Sequence, residues 1–222
     1  MFFRKRKFAE FTKPKDKTIM RKYVNILVVD DDPDSFPINS LAKEGFNIQR
    51  WSKVEPSELD KLETGTFDII ILDIVGVAED ISNQDGIGVL ETIKNNNPAQ
   101  VIIAFSGQSF DFSKSRFFKL ADDMLPKPVD LITCRNLLDE LIENKINIGH
   151  YWNSIKSILE NSGVTPKKIA KLEHSLASSR SKDVSIDLNS LFSKILKGGD
   201  MVEKCVTLAY KILTLVHSQQ NV

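Results

Sequence analysis

Between residues 24 and 146 the chain alternates short, wholly apolar runs with segments whose apolar residues recur every three or four positions. Val24-Asn25-Ile26-Leu27-Val28-Val29 is largely β-branched and runs into Asp30. Phe46 to Trp51 is a second strand candidate, and Asp68-Ile69-Ile70-Ile71-Leu72 a third that ends in Asp73. Val101-Ile102-Ile103-Ala104-Phe105 ends in Ser106, and a short fifth run, Met124-Leu125-Pro126, ends in Lys127. Runs apolar on both faces suit a parallel sheet covered by helices on either side. Helical spacing falls between them, over Glu55 to Leu62, Gly88 to Lys94, Ser113 to Leu120 and Leu131 to Ile142. Gly45, Gly65 and Asn95-Asn96-Asn97-Pro98 punctuate the helix ends. A further helix follows the first strand, with Pro37 expected in its first turn. Five β-α units in succession predict a doubly wound α/β fold.

Past Ile146 the pattern is helical throughout. Tyr151, Trp152, Ile155, Ile158 and Leu159 make one apolar stripe. Ile169, Leu172 and Leu176 make a narrower one after Thr165-Pro166, with Thr165 placed to cap it. Ile186, Leu188, Leu191, Phe192, Ile195 and Leu196 make a third, ended by Gly198-Gly199. Asp200-Met201-Val202-Glu203 reads as a capping box opening a fourth helix, apolar on more than one side and so buried between partners. The expected organisation is an N-terminal arm (1–23), an α/β domain (24–146) and an all-α domain (147–222).

Charge sharpens this division. The formal net charge is zero. Residues 1–23 nonetheless carry nine Lys/Arg against two Asp/Glu, residues 24–145 carry 11 against 22, and residues 146–222 carry 10 against 6. A basic arm, an acidic domain and a mildly basic tail are three different electrostatic objects. No run approaches the ~20 apolar residues of a membrane-spanning helix. The basic start lacks the apolar stretch of a secretory signal. Cys134 and Cys205 have no metal or redox spacing and read as reduced core thiols of a cytoplasmic protein.

In an open α/β sheet, ligands bind beyond the carboxyl ends of the strands, where strand order reverses. Those ends carry Asp30 and Asp31, Asp73, Ser106 and Lys127: three carboxylates, a hydroxyl and an ammonium on one rim. Like charges ~4 Å apart at an effective dielectric of ~20 cost about 4 kcal/mol per pair. A hard divalent cation such as Mg²⁺ relieves that repulsion and also neutralises a transferring phosphoryl group, as an ammonium does. A carboxylate is itself a competent nucleophile that forms an aspartyl phosphate. Taken singly, each residue has an ordinary reading: an Asp-Asp pair caps a helix, Ser106 closes a turn and Lys127 is a surface lysine. Their joint occurrence at successive strand ends is what points to chemistry.

Five segments match a known pattern: Ile26-Leu27-Val28-Val29-Asp30-Asp31-Asp32-Pro33, Asp68 to Asp73, Asp85-Gly86, Phe105-Ser106-Gly107, and Ala121-Asp122-Asp123-Met124-Leu125-Pro126-Lys127-Pro128. Over about 120 residues the chain resembles the receiver domain of bacterial response regulators. The resemblance implies a flavodoxin-like five-stranded sheet in the order 2-1-3-4-5. It implies that Asp73 accepts a phosphoryl group from a histidine kinase or phosphotransfer protein. Asp31 and Asp73 would ligate Mg²⁺ directly, Asp30 through water, and the Val75 backbone carbonyl would add a ligand. Lys127 would pair with the phosphate and Ser106 would be the switch hydroxyl; Asp32 is an extra acid with no implied role. Such a chain is a phosphoacceptor rather than an enzyme, catalysing at most its own phosphorylation and dephosphorylation.

Three departures stand out. Residues 74–84 form a longer loop after Asp73 than the family's usual one. Met124 occupies the place of an aromatic switch residue, with neither ring nor hydroxyl. Leu120-Ala121 replaces a common Gly-Ala.

The flanks are expected to supply output. The tail suits protein–protein contact, including a homodimer through its helices. Thr165 to Leu172 weakly resembles the first helix of a DNA-binding helix-turn-helix, which makes a transcriptional regulator the alternative. A phosphorylation-independent adaptor is the third reading. His174 to Ser179 weakly resembles a phosphotransfer motif, though an exposed helical His accounts for it. The arm interleaves Phe2, Phe3, Phe8 and Phe11 with Arg4, Lys5, Arg6 and Lys7, a composition suited to an anionic membrane surface or to nucleic acid, though a solvated or loosely docked tail accounts for it.

Overall fold

The structure is a computed structural model that describes residues 17–63, 65–97, 99–107, 119–177 and 187–218. The chain divides into two compact units, one spanning Lys17–Ile142 and one holding Glu143 onward.

Apolar runs become strands where the sequence places them. In the first unit β1 (Asn25–Val29), β2 (Asn47–Trp51), β3 (Ile69–Asp73), β4 (Val101–Ser106) and β5 (Asp123–Pro126) form one sheet in the order β2-β1-β3-β4-β5. Every pairing is parallel. This is the doubly wound five-stranded sheet expected from the sequence. β3 and β4 are buried along their whole length, whereas β2, at the edge, is half-buried with exposed positions. The register brings Asp73 level with Phe105 and Ser106 level with Pro126. Val29 pairs with Leu72, so Asp30 and Asp73 are each the next residue along. One edge of the sheet therefore receives all the polar strand ends.

Helices close both faces: α2 (Ile38–Lys43), α3 (Leu59–Glu63), α4 (Gly86–Asn96) and α5 (Leu131–Asn144). Pro37 stands at the cap of α2, just before its first turn. The helix expected over Glu55 to Leu62 is a 3₁₀ turn at Pro56–Glu58 followed by α3, since a proline in the first turn starts a helix but donates no N–H. The helix expected over Ser113 to Leu120 lies outside the described residues except for its last two.

Residues Lys17–Tyr23 form a helix, α1, within the first unit. Met20 is buried. Arg21 grips Asp139 of α5 with two bonds, Nε to Oδ1 at 2.9 Å and Nη2 to Oδ2 at 2.6 Å. Its Nη1 donates to the Glu44 carbonyl at 3.2 Å, and the guanidinium lies 4.4 Å from the centre of the Phe46 ring. The end of the basic arm is thus anchored to the α/β unit by one arginine. Its aromatic-basic start, including Phe2, Phe3, Phe8 and Phe11, lies outside the described residues.

In the second unit, α6 (Ile148–Asn161) and α8 (Leu188–Ser193) open on side-chain caps, Asn147 accepting from the His150 N–H and Asp187 from the Ser190 N–H. Between them lies α7 (Pro166–Ala177), and α9 (Gly199–Ser218) follows. Thr165 begins α7 through its backbone carbonyl, which accepts from Lys168 and Ile169. The third apolar stripe is helical only to Ser193 and continues as a turn, with Ile195 and Leu196 N–H groups both bonded to the Phe192 carbonyl. Asp200 does not cap α9. The Val202 N–H already bonds the Gly198 carbonyl, so Asp200 falls in the first turn, where its charge still complements the helix dipole. Cys134 and Cys205 are buried free thiols, each pushed up to about 12 by burial, which keeps them protonated and unreactive.

The clamp on α1 has a measurable consequence. Arg21→Ala strands a half-buried Asp139 carboxylate and is expected to cost about 2 kcal/mol in denaturant unfolding. Asp139→Ala should cost a similar amount and the double variant little more than either. Additive losses would contradict the pairing.

Candidate functional site

β1 delivers Asp30 into the interior and Asp31 to the surface. Asp30 is fully buried, and both of its carboxylate oxygens have partners. Its Oδ1 accepts the Asp32 N–H at 2.9 Å, and its Oδ2 accepts the Ser35 hydroxyl at 2.5 Å and faces the Lys127 ammonium at 2.9 Å. Asp31 is exposed, and its backbone carbonyl accepts Arg50 Nη2 at 2.8 Å. Asp32 turns the chain, its carboxylate accepting the Asp34 N–H at 3.0 Å. Asp73 ends β3, nearly buried. Its Oδ1 accepts the Ile74 N–H at 2.6 Å and the Val75 N–H at 3.4 Å, while its Oδ2 takes the Lys127 ammonium at 2.5 Å.

Lys127 follows β5, held in place when its N–H bonds the Ser106 carbonyl at 3.1 Å. Its Nζ also lies 4.8 Å from the centre of the Phe105 ring. Ser106 is buried at the end of β4. The structure thus gathers Asp30, Asp31, Asp73, Ser106 and Lys127 at one sheet edge. Val75 lies two residues beyond Asp73 in the following loop.

Asp30, Asp31 and Asp73 each offer a carboxylate oxygen within 4.8 Å of the others. One ammonium serves the two buried acids, and the third faces solvent. Burial drives the Asp73 carboxyl above its ordinary value; bonds from Lys127 and Ile74 pull it down without cancelling that rise, and the Asp30 charge adds to it. Burial works against the Lys127 ammonium, but its bonds to Asp73 and Asp30 outweigh it and raise its pKa. A cluster with more carboxylate than cation, partly open to water, fits a Mg²⁺ ion, which favours one or two carboxylates plus waters and phosphate oxygens.

A family model described as the response regulator receiver domain matches residues 26–139. The chain belongs to the response regulator receiver family. Among its relatives is a heme response regulator, HssR, found in two strains of Staphylococcus epidermidis. Each is 28% identical over 110 residues, covering 49% of this chain and 46% of the relative. The chain spans about half the length of these relatives. Similar solved structures include a two-component response regulator from Clostridium difficile, at 22% identity over 55% of this chain and 97% of that one, with a TM-score of 0.45. The receiver domain of NtrX from Brucella abortus is 24% identical over 54% of this chain and 99% of that one, with a TM-score of 0.44.

Within this receiver domain the loop after Asp73 is ordered by a residue to which sequence reasoning gave no role. Asp85 accepts three backbone N–H groups, from Gly76 at 2.5 Å, Val77 at 3.1 Å and Ala78 at 2.6 Å. It does so at φ +51°, a left-handed conformation that costs a non-glycine residue on the order of 1–3 kcal/mol. Next to it, a Cβ on Gly86 would run into the Asp73 carbonyl oxygen. Ile74, Val77 and Ala78 are buried, and the Val77 carbonyl accepts the Val54 N–H at 2.8 Å. Ser35 was missed likewise. Its hydroxyl bridges the Asp30 carboxylate and the Asp32 carbonyl, a pairing that local spacing does not announce.

The raised Asp73 pKa fixes the sign of a pH effect. The folded chain holds this proton more tightly than the unfolded one, so the group's contribution to stability falls as pH rises from the ordinary 3.8 through the raised value. Asp73→Asn should therefore raise the melting temperature at neutral pH without divalent cation. The gap should close in acid, where both side chains are neutral. A lower melting temperature for the variant at pH 7 would contradict this electrostatic reading.

Proposed function

We propose that this chain is a response regulator of a two-component phosphorelay that accepts a phosphoryl group on Asp73. The observation that carries the reading is the single ammonium of Lys127 shared between the buried Asp30 and Asp73 carboxylates, with Asp31 open to solvent beside them. In the proposed transfer an Asp73 carboxylate oxygen attacks phosphorus. The bond from phosphorus to the imidazole nitrogen of a histidine kinase or phosphotransfer protein breaks, and an aspartyl phosphate forms. Asp73 Oδ1 is held by two backbone N–H groups, which orients the carboxylate before reaction. Lys127 keeps its proton and pairs with the new phosphoryl charge. Ser106 supplies a hydroxyl to a phosphoryl oxygen from the end of β4. Mg²⁺ would be held by Asp31 and Asp73, with Asp30 acting through water and the Val75 carbonyl as a further ligand; when bound it neutralises the acids and the incoming phosphate. The protein is a phosphoacceptor and not an enzyme acting on other substrates.

The helical tail is the proposed output surface, toward a protein partner or a second copy of the chain. We place this activity in the cytoplasm, in keeping with two free thiols. No helix among the described residues is long and apolar enough to cross a membrane. DNA contact is a second reading, favoured by the exposed Lys167, Lys168 and Lys171 of α7. Mobility shift on genomic fragments at moderate salt, lost on changing these three lysines to alanine, would support it.

Beryllofluoride mimics an aspartyl phosphate and tests the main reading. It should bind only with Mg²⁺ and not to Asp73→Asn. Absence of any Mg²⁺-dependent binding would favour an adaptor that signals without phosphate.

A further inference from the structure

The residues that hold the acceptor loop go beyond the five strand-end groups. Asp85 sits nine residues past Gly76, yet its two carboxylate oxygens take the N–H groups of Gly76, Val77 and Ala78. Those amides follow directly on Ile74 and Val75, whose own N–H groups orient Asp73 Oδ1. From the other side, Gly86 lies so close under the Asp73 carbonyl that no side chain fits. Gly76 also brings the loop against the acid cluster, since a Cβ there would stand 3.2 Å from Asp31 Oδ2. The loop is thus pinned between Asp85 and the end of β3, and its backbone runs past both Asp31 and Asp73.

We propose that Asp85 is a positioning residue of the acceptor site, fixing through the Gly76–Ala78 backbone the two N–H groups on Asp73 and the place of Val75. This rests on the phosphoacceptor reading above. A carboxylate is needed because three donors converge on it, one on Oδ2 and two on Oδ1. An amide keeps at most one acceptor oxygen and turns N–H₂ toward the remaining donor. Partners one step removed from a metal's ligands hold those ligands in place, and losing such a partner lowers metal affinity by roughly 10- to 100-fold.

The test is Mg²⁺ titration by calorimetry on the full chain, on Asp85→Ala and on Asp85→Asn, each checked for folding by near-UV circular dichroism and melting temperature. Asp85→Ala should weaken Mg²⁺ binding by roughly 10- to 100-fold, and Asp85→Asn should fall between it and the parent. Amide exchange at Ile74 and Val75 should quicken in the same order. If the alanine variant does not fold, the asparagine variant decides. A lower melting temperature with Mg²⁺ affinity within about twofold of the parent would show a merely structural role and overturn the proposal; the 10-fold floor sets that margin. A parent chain that takes up no Mg²⁺ would overturn the phosphoacceptor reading and this proposal together. A parent that binds, with Asp85 variants that bind equally well, would overturn this proposal alone.

Discussion

The Lys127 ammonium stands 2.9 Å from Asp30 and 2.5 Å from Asp73, and the rim of the sheet depends on it. Two carboxylates at the ends of neighbouring strands repel, and burial makes that repulsion costly. The ammonium comes from the strand at the far edge, so β5 must pair in register with β4 for the charge to reach its partners. Phe105 supports it from below, with Phe36 set edge-on at 5.4 Å. Fold and chemistry meet in this one contact. The parallel register sets the positions of the strand ends, and the charges at those ends favour that register. The balance remains short of positive charge, which is why the same rim suits a cation and an incoming phosphoryl group.

A second constraint works on the backbone after Asp73. Eleven residues separate Asp73 from Asp85, and such a loop beside the acid cluster would ordinarily add freedom to the backbone there. Here Val77 and Ala78 of the loop pack into the main hydrophobic core with Val29, Val54 and Val89, and Asp85 supplies an internal acceptor. The loop's length is matched by added attachment. Met124, by contrast, is about half exposed on β5, with no ring to turn inward. Any switch at this end of the sheet works without an aromatic at that position.

Strands were the most legible part of the sequence, because Ile26 to Val29, Ile69 to Leu72 and Val101 to Phe105 are apolar on both faces and leave little alternative to a covered parallel sheet. The strand-end residues were legible for the same reason: each is the first polar residue after an apolar run. Less was visible where a partner is distant in sequence. Arg21 reads as one more charge in a basic arm, yet it binds Asp139, 118 residues away. Asp85 entered only as part of the Asp85-Gly86 match and Ser35 not at all, and their contacts appear only when the backbone brings amides and carboxylates together. Helix starts were blurred at Pro56 and Asp200. Local rules allow more than one first residue there, and tertiary packing chooses among them.

Intact-mass spectrometry after incubation with a small-molecule phosphodonor such as acetyl phosphate and Mg²⁺ reaches the central claim most directly. The account predicts a mass gain of one phosphoryl group, lost in base and on treatment with hydroxylamine as an acyl phosphate should be, mapped to Asp73 and missing from Lys127→Ala or strongly reduced in it. No mass gain in a folded, Mg²⁺-saturated chain, or a phosphoryl group on any other residue, would contradict it.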